Sequence, residues 1–294
     1  MELTRRQWLL GLVTALVGAV AVASYRAERA TERLVRDLRA AADTTAAEPA
    51  TDDELRDLPD PARRYFETVL PDDHRPVRTA RLEQEGTIQM GEGDDGWKPF
   101  TATQHVTVDP PGFVWDATVE MAPFVGARVV DAYHDGAGTL RATVFGLPVM
   151  SADPGPELDE GELLRYLAEA AWVPTALLPT AGVEWDAVGA DAARATLTDG
   201  DVRATLTFRF GEDDLVREVA GRRYREETGD EAAWVGRFDA YERHDGLLVP
   251  TEGEVAWRLP EGDVPYWRGT VTAFDYDTGR SRPRTERRDR LTSA

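Results

Sequence analysis

The chain has 294 residues with 54 acidic against 34 basic side chains, a formal net charge of −20, and no cysteine. So acidic a surface repels nucleic acid, and the lack of thiols excludes disulfides, thiolate metal sites and cysteine nucleophiles. At 42% hydrophobic the chain still carries enough apolar surface for a core.

Residues 1–25 read as a transmembrane or signal segment. From Gln7 to Tyr25 there is no charge, a run long enough to span a bilayer. Thr4-Arg5-Arg6-Gln7-Trp8-Leu9-Leu10 ahead of it resembles a twin-arginine export signal, with tryptophan where phenylalanine is usual. Ala21-Val22-Ala23 fits a cleavage pattern, but the length of the run favours a retained anchor. Arg26, Arg29, Arg33, Arg36 and Arg39 follow at once, and the positive-inside rule counts them towards a cytoplasmic body. An exported, membrane-anchored body outside the cytoplasm is the expectation.

Residues 26–54 form a helical, alanine- and arginine-rich stalk and then the polar linker ADTTAAEPATDDE. A β-rich domain is expected over 55–279. It opens on a helix with Asp60 as N-cap and Pro61 at its first position, placing Tyr65, Phe66, Val69 and Leu70 on one stripe. After Arg78 the period drops to two. In FVWDATVEM the residues Phe113, Trp115, Ala117, Val119 and Met121 share a face, and in VRATLTFRF so do Val202, Ala204, Leu206, Phe208 and Phe210. This is the alternation of antiparallel strands with one wet face. Asp135-Gly136, Asp199-Gly200 and Asp245-Gly246 mark tight hairpins. About ten to twelve strands fit between Arg78 and Asp277 by this pattern. The fold class is mainly β (α+β): a large antiparallel curled sheet or open barrel, since so many strands cannot stay flat, with a helical insert. Residues 280–294 form a basic tail expected to be disordered.

The insert is LLRYLAEAAWVPTALLP, residues 163–179. Asp159 and Glu162 resemble a capping box before it. Helical spacing over 161–172 puts Leu163, Leu164, Leu167, Ala168 and Ala171 on one face and Glu162, Arg165, Glu169 and Trp172 on a second. Arg165 can bridge Glu162 and Glu169, and Pro174 ends the helix. One reading places Arg165, Glu169 and Trp172 at a cavity mouth. The other seats the leucines on the sheet and leaves the charges outside or pinned to a strand.

Other motifs carry no chemistry. GEGDDG, residues 91–96, matches a dinucleotide pattern in letters, but no helix follows and its acids repel phosphate. Ser151 is the only serine in the β-rich domain, without a nucleophile elbow. No two of the four histidines have helical i, i+4 spacing, and the two His-Asp-Gly stretches at 134–136 and 244–246 read as turn residues beside hairpin Asp-Gly pairs in preference to metal-binding loops. No catalytic residue, metal site or cofactor is assigned.

Arg165-Tyr166-Leu167-Ala168-Glu169, with Trp172 and Pro174, resembles a prokaryotic family of domains of unknown function, often found behind an N-terminal membrane segment. Trp97-Lys98-Pro99-Phe100 and Pro111-Gly112-Phe113-Val114-Trp115 fit it too, over roughly residues 57–277. The architecture is similar to that of envelope lipid and lipoprotein carriers by analogy of shape. The acid-rich balance, with Lys98 as the only lysine, resembles proteins of salt-loving archaea, where salt screens the self-repulsion. The function expected is a membrane-anchored halophilic protein binding a lipid or other hydrophobic molecule on its concave face, with Trp115, Arg165, Glu169 and Trp172 as ligand-binding candidates. The alternatives are a carboxylate-dependent enzyme using Glu169 and a structural or partner-binding envelope module.

Overall fold

The computed structural model describes residues 5–42, 52–91, 93 and 96–279, with the side chains of 5–13, 15, 16, 52 and 53 outside that description. The side chains of the twin-arginine pattern, the linker residues 43–51 and the disordered-tail expectation therefore fall outside that description. Among the described residues no helix is long and apolar enough to cross a membrane.

Helix α1 runs unbroken over Arg5–Ala41, and α2 (Asp52–Arg56) and α3 (Asp60–Val69) follow. Six strands come next: β1 Thr79–Gln89, β2 Trp97–Thr107, β3 Gly112–Ala122, β4 Val125–His134, β5 Ala137–Val144 and β6 Leu147–Ser151. Helix α4 (Pro156–Glu169) then leads through three short 3-10 turns to β7 Val183–Ala187. The remaining strands are β8 Ala192–Asp199, β9 Val202–Phe210, β10 Val216–Arg225, β11 Asp230–His244, β12 Leu247–Leu259 and β13 Gly262–Asp277.

All thirteen strands belong to one antiparallel sheet in the order β6-β5-β4-β3-β2-β1-β13-β12-β11-β10-β9-β8-β7. Two meanders, β1 to β6 and β7 to β13, meet where β1 pairs with β13. The sheet curls into a half-barrel, because its two arms come within bonding distance: Tyr133 on β4 donates its hydroxyl to Asp199 at the end of β8, 2.8 Å away. Phe113, Trp115, Ala117 and Val119 line the concave core, as do Ala204, Leu206, Phe208 and Phe210. α3 starts one residue earlier than expected: Pro59 takes the cap position and Asp60 is already helical. Its Tyr65 and Phe66 pack on Phe210 and Trp185, with ring centroids 5.6 and 6.1 Å apart.

The convex face is not wet throughout. Residues 26–41, expected as a stalk, continue α1, and its last turns lie on β3 and β4. Leu38, only 1% exposed, packs with Val114, Val130 and Ala132, and Leu34 and Val35 flank it. Val114 was expected on the wet face. It is fully buried because α1 supplies the cover. Gly112 makes room for Leu38, whose Cδ1 would stand 2.7 Å from a Cβ there.

One polar contact fastens this seam. Arg39 Nη2 donates to His105 Nδ1 at 3.2 Å. Burial, with Arg39 and Arg81 beside it and only Asp116 opposing, lowers the imidazole from 6.5 to about 4. The folded protein thus holds His105 neutral where the unfolded chain protonates it, so this stability is present above pH 6.5 and is lost as pH falls towards 4. Amide exchange in residues 31–41 is expected to quicken over that window while the sheet core stays protected. His105→Gln, which keeps an acceptor and cannot titrate, is expected to abolish the pH step.

Candidate functional site

α4 closes the open side of the half-barrel, packing against β9 and β10 from one arm and β4 and β5 from the other. It starts at Pro156, with Gly155 before it, five residues earlier than expected. Asp159 caps no helix end. Its Oδ1 accepts from the Gly138 backbone N–H at 2.7 Å, which ties the helix to β5. The α-helix stops at Glu169, and Ala170–Trp172 continue as a 3-10 turn. Leu163, Leu164, Leu167 and Ala168 are buried as their stripe predicts.

The second stripe is buried as well, in a polar cluster that joins the two arms. Arg165 Nε donates to Glu169 Oε1 at 2.8 Å and Nη1 to Asp131 Oδ2 on β4. Glu162, which was expected to pair with Arg165, instead accepts from Arg223 Nη2 on β10 at 2.8 Å. Gln104 Nε2 donates to Glu169 Oε2 at 2.6 Å, Gln84 Nε2 to Gln104 Oε1 at 2.9 Å, and Trp115 Nε1 to Gln84 Oε1 at 2.8 Å. The Arg165 guanidinium also lies over the rings of Phe113 and Trp115, 4.9 and 5.1 Å from their centroids. Burial works against its charge, but Glu169, Asp131 and Glu162 outweigh burial and raise its pKa.

Three carboxylates meet only two guanidiniums here, and Glu162 is 1% exposed. Burial pushes its carboxyl well above the usual 4.5, the nearby Asp131 charge adds to this, and Arg223 and Arg165 oppose it. Glu162 Oε2 and Asp131 Oδ1 are both buried without a donor, and the two carboxyls are within hydrogen-bonding reach. A proton held by Glu162 and donated to Asp131 satisfies both oxygens and leaves the cluster neutral.

Beside the cluster lies an aromatic floor. Phe100 packs on Trp115 and Trp267, with centroids 5.6 and 5.7 Å apart, and Trp172 packs on Trp267 and Phe238 at 6.2 and 5.8 Å. A row of paired glycines makes room for it: Gly86 on β1, Gly269 on β13 and Gly253 on β12 are in register. A Cβ at Gly269 would stand 2.5 Å from the Trp267 ring, and one at Gly253 would stand 3.3 Å from it. Trp115 and Trp172 are each 2% exposed. Trp115, Trp185 and Trp234 all donate their indole N–H. Trp172 and Trp267 Nε1 are buried with no acceptor.

The structure thus brings Trp115, Arg165 and Glu169 into one network and sets Trp172, in the turn after α4, against the adjoining floor, with every member buried or nearly so. Asp131, Arg223, Gln84, Gln104 and Trp267 escaped assignment. The available signal was a polar residue at an inward position of a strand: Asp131 in VVDAYH, Gln84 and Gln104 among apolar alternates. A concavity of about 510 Å³ lies on the convex side of the glycine row. Its arginines are already paired, Arg237 and Arg268 with Glu254 at 3.0 and 2.9 Å and Arg217 with Asp239 at 2.8 Å. Among the described residues no cluster of three or more histidines or carboxylates is arranged to hold a metal.

These features define a class of protein: an antiparallel half-barrel whose open side is closed by a helical insert bearing a buried ion cluster. The chain belongs to DUF6920, a family of unknown function, whose model matches residues 56–276. The crystal structure of a LolA superfamily protein from Nitrosomonas europaea is similar to this chain at 10% identity and a TM-score of 0.39, covering 76% of this chain and 94% of its own. No curated protein matches the chain.

Two substitutions separate charge balance from packing. Because the folded state keeps the Glu162 proton that the unfolded chain releases near 4.5, stability falls as pH rises from there until the raised folded value is passed. Glu162→Gln, a copy of the protonated form, is expected to match the native protein at acid pH and exceed it in thermal melting at alkaline pH. Arg223→Met leaves buried carboxylates uncompensated and is expected to cost about 3–5 kcal/mol.

Proposed function

We propose that the domain holds a hydrophobic molecule bearing hydrogen-bond-accepting oxygens, an acyl lipid being the fitting class, between α4 with its following turns and the aromatic floor of the half-barrel. One observation carries this reading: Trp172 and Trp267, one on each side of that seam, are buried with unused indole donors, whereas neighbouring tryptophans are satisfied. A buried unsatisfied donor is costly, and an ester or carboxylate oxygen entering the seam would give such a donor its acceptor while the acyl chain lies on the rings. The ionic contacts that close the seam suit opening. A buried ion pair roughly breaks even against its own desolvation, so hydration returns much of what separation costs, which is not true of an apolar contact. The uncharged run of residues 7–25 supports a membrane tether. The arginine pair at its start supports export of the body, and the acid-rich composition supports a high-salt setting.

Native mass spectrometry of protein purified in high salt, followed by solvent extraction, is expected to find a co-purifying lipid. Replacing Trp172 and Trp267 by Phe is expected to reduce bound ligand about fivefold per donor while raising the melting temperature of the ligand-free protein, since an unsatisfied donor is removed. A ligand-free preparation that binds no added acyl lipid, with Trp variants that only lose stability, would refute the reading.

A further inference from the structure

We infer that the body rests on the bilayer through the β3–β4 and β5–β6 hairpin tips, with Phe124 and Phe145 inserted at the lipid interface beside α1. Each of these residues sits in a turn at positive φ, 65° for Phe124 and 53° for Phe145. That region is sterically unfavourable for a bulky side chain and suits Gly, Asn or Asp. The protein meets the same demand conventionally elsewhere, with Asp135 at 54° and Asp245 at 49°. Phe124 contributes no packing in exchange, being 102% exposed, and Phe145 leaves about half of its surface, 52%, in solvent. A strained backbone carrying an exposed aromatic ring serves something outside the fold.

The pairing of β4 with β5 brings the two tips together: Ala127 faces Val144, so Phe145 and Phe124 follow within a few residues on adjoining strands. The sheet's edge strand β6 continues the patch with Leu147, Val149 and Met150 exposed.

α1 identifies the occupant. Gly146, next to Phe145, packs so closely on Ala23 and Ser24 that no Cβ fits between them. The hairpin tip therefore meets α1 at the level where the uncharged run ends, one residue before Tyr25 and two before Arg26. Arg26, Arg29, Arg33 and Arg36 then line a single groove with Tyr25, a basic strip on a chain of net charge −20. Aromatic tips level with the end of an apolar run, followed by arginines, match the order of chemistry met in passing from acyl chains to anionic headgroups.

The inference rests on residues 7–25 lying in the bilayer, and flotation of the full chain with vesicles tests that part separately. The chain has no cysteine, so single labels are clean. Phe124→Cys and Phe145→Cys, with Asp135→Cys and Asp245→Cys as turn controls, would each carry a nitroxide in full-length protein reconstituted into vesicles of phosphatidylcholine and phosphatidylglycerol. Labels at 124 and 145 are expected to be relaxed by oxygen and shielded from a water-soluble nickel chelate, and those at 135 and 245 the reverse. Phe145→Asp in the 124-labelled protein is expected to shift that label towards water without loss of fold, because Asp suits the turn. Vesicle-bound protein whose 124 and 145 labels read as aqueous would overturn the inference while leaving the tether intact. Labels shielded from both reagents, or shielded equally in dilute detergent, would overturn it in favour of a protein contact. Failure of the chain to float would remove the tether and the inference together.

Discussion

The structure depends on how the open side of a curled sheet is closed. A half-barrel of this size leaves two arms facing each other across an apolar floor, and neither arm is stable while that floor meets water. α4 closes it with a helix that is buried on two faces instead of one. The leucine face does so by apolar contact. The charged face must balance its charges out of water, and it does so through both arms, with Arg165 reaching Asp131 on β4 and Glu162 reaching Arg223 on β10. Two guanidiniums against three carboxyls require a proton, and the carboxyl that keeps it is Glu162, the most deeply buried of the three. Desolvation offsets much of the attraction within such a cluster, so the net stabilisation of the helix comes mainly from its leucine face.

The floor follows from the same curvature. Strands that bend this tightly bring inward side chains into collision, and the row Gly86, Gly269, Gly253 removes them where crowding is worst. The space is taken by two large flat rings, Trp267 from the sheet and Trp172 from the turn after α4. A tryptophan on each side of a seam fills volume well but fixes each N–H by the ring's position, and here neither direction meets an acceptor. Trp115 escapes this because Gln84 stands at an inward position two residues from the glycine.

The strands and their inward faces were legible because alternation is a local signal, and Phe113 to Val119 and Val202 to Phe210 read true residue by residue. The apolar stripe of the insert was legible for the same reason, although its α-helix stops at Glu169 and Pro174 opens a further 3-10 turn. The partners of its charges were not. Spacing along a helix pairs Arg165 with Glu169, but the choice of Asp131 over Glu162 as its second partner depends on which strands flank the helix, a property of sheet order. The start of α4 was misplaced because Asp159 and Glu162 mimic a cap, while their side chains are spent on β5 and β10. Val114 looked like a wet-face residue because its cover lies 76 positions away on α1, and no periodicity in β3 announces it.

β4 shows how the two covers are coupled. Val130 and Ala132 point outward beneath Leu38, and Asp131 between them points inward to Arg165. The outer seam is mainly apolar and would lose its full burial free energy if parted. The inner seam is ionic at its edges, and water entering it solvates the groups being separated. The same strand thus carries an apolar seam on its outer side and an ionic contact on its inner side, and it is the element through which the two covers, α1 and α4, are joined.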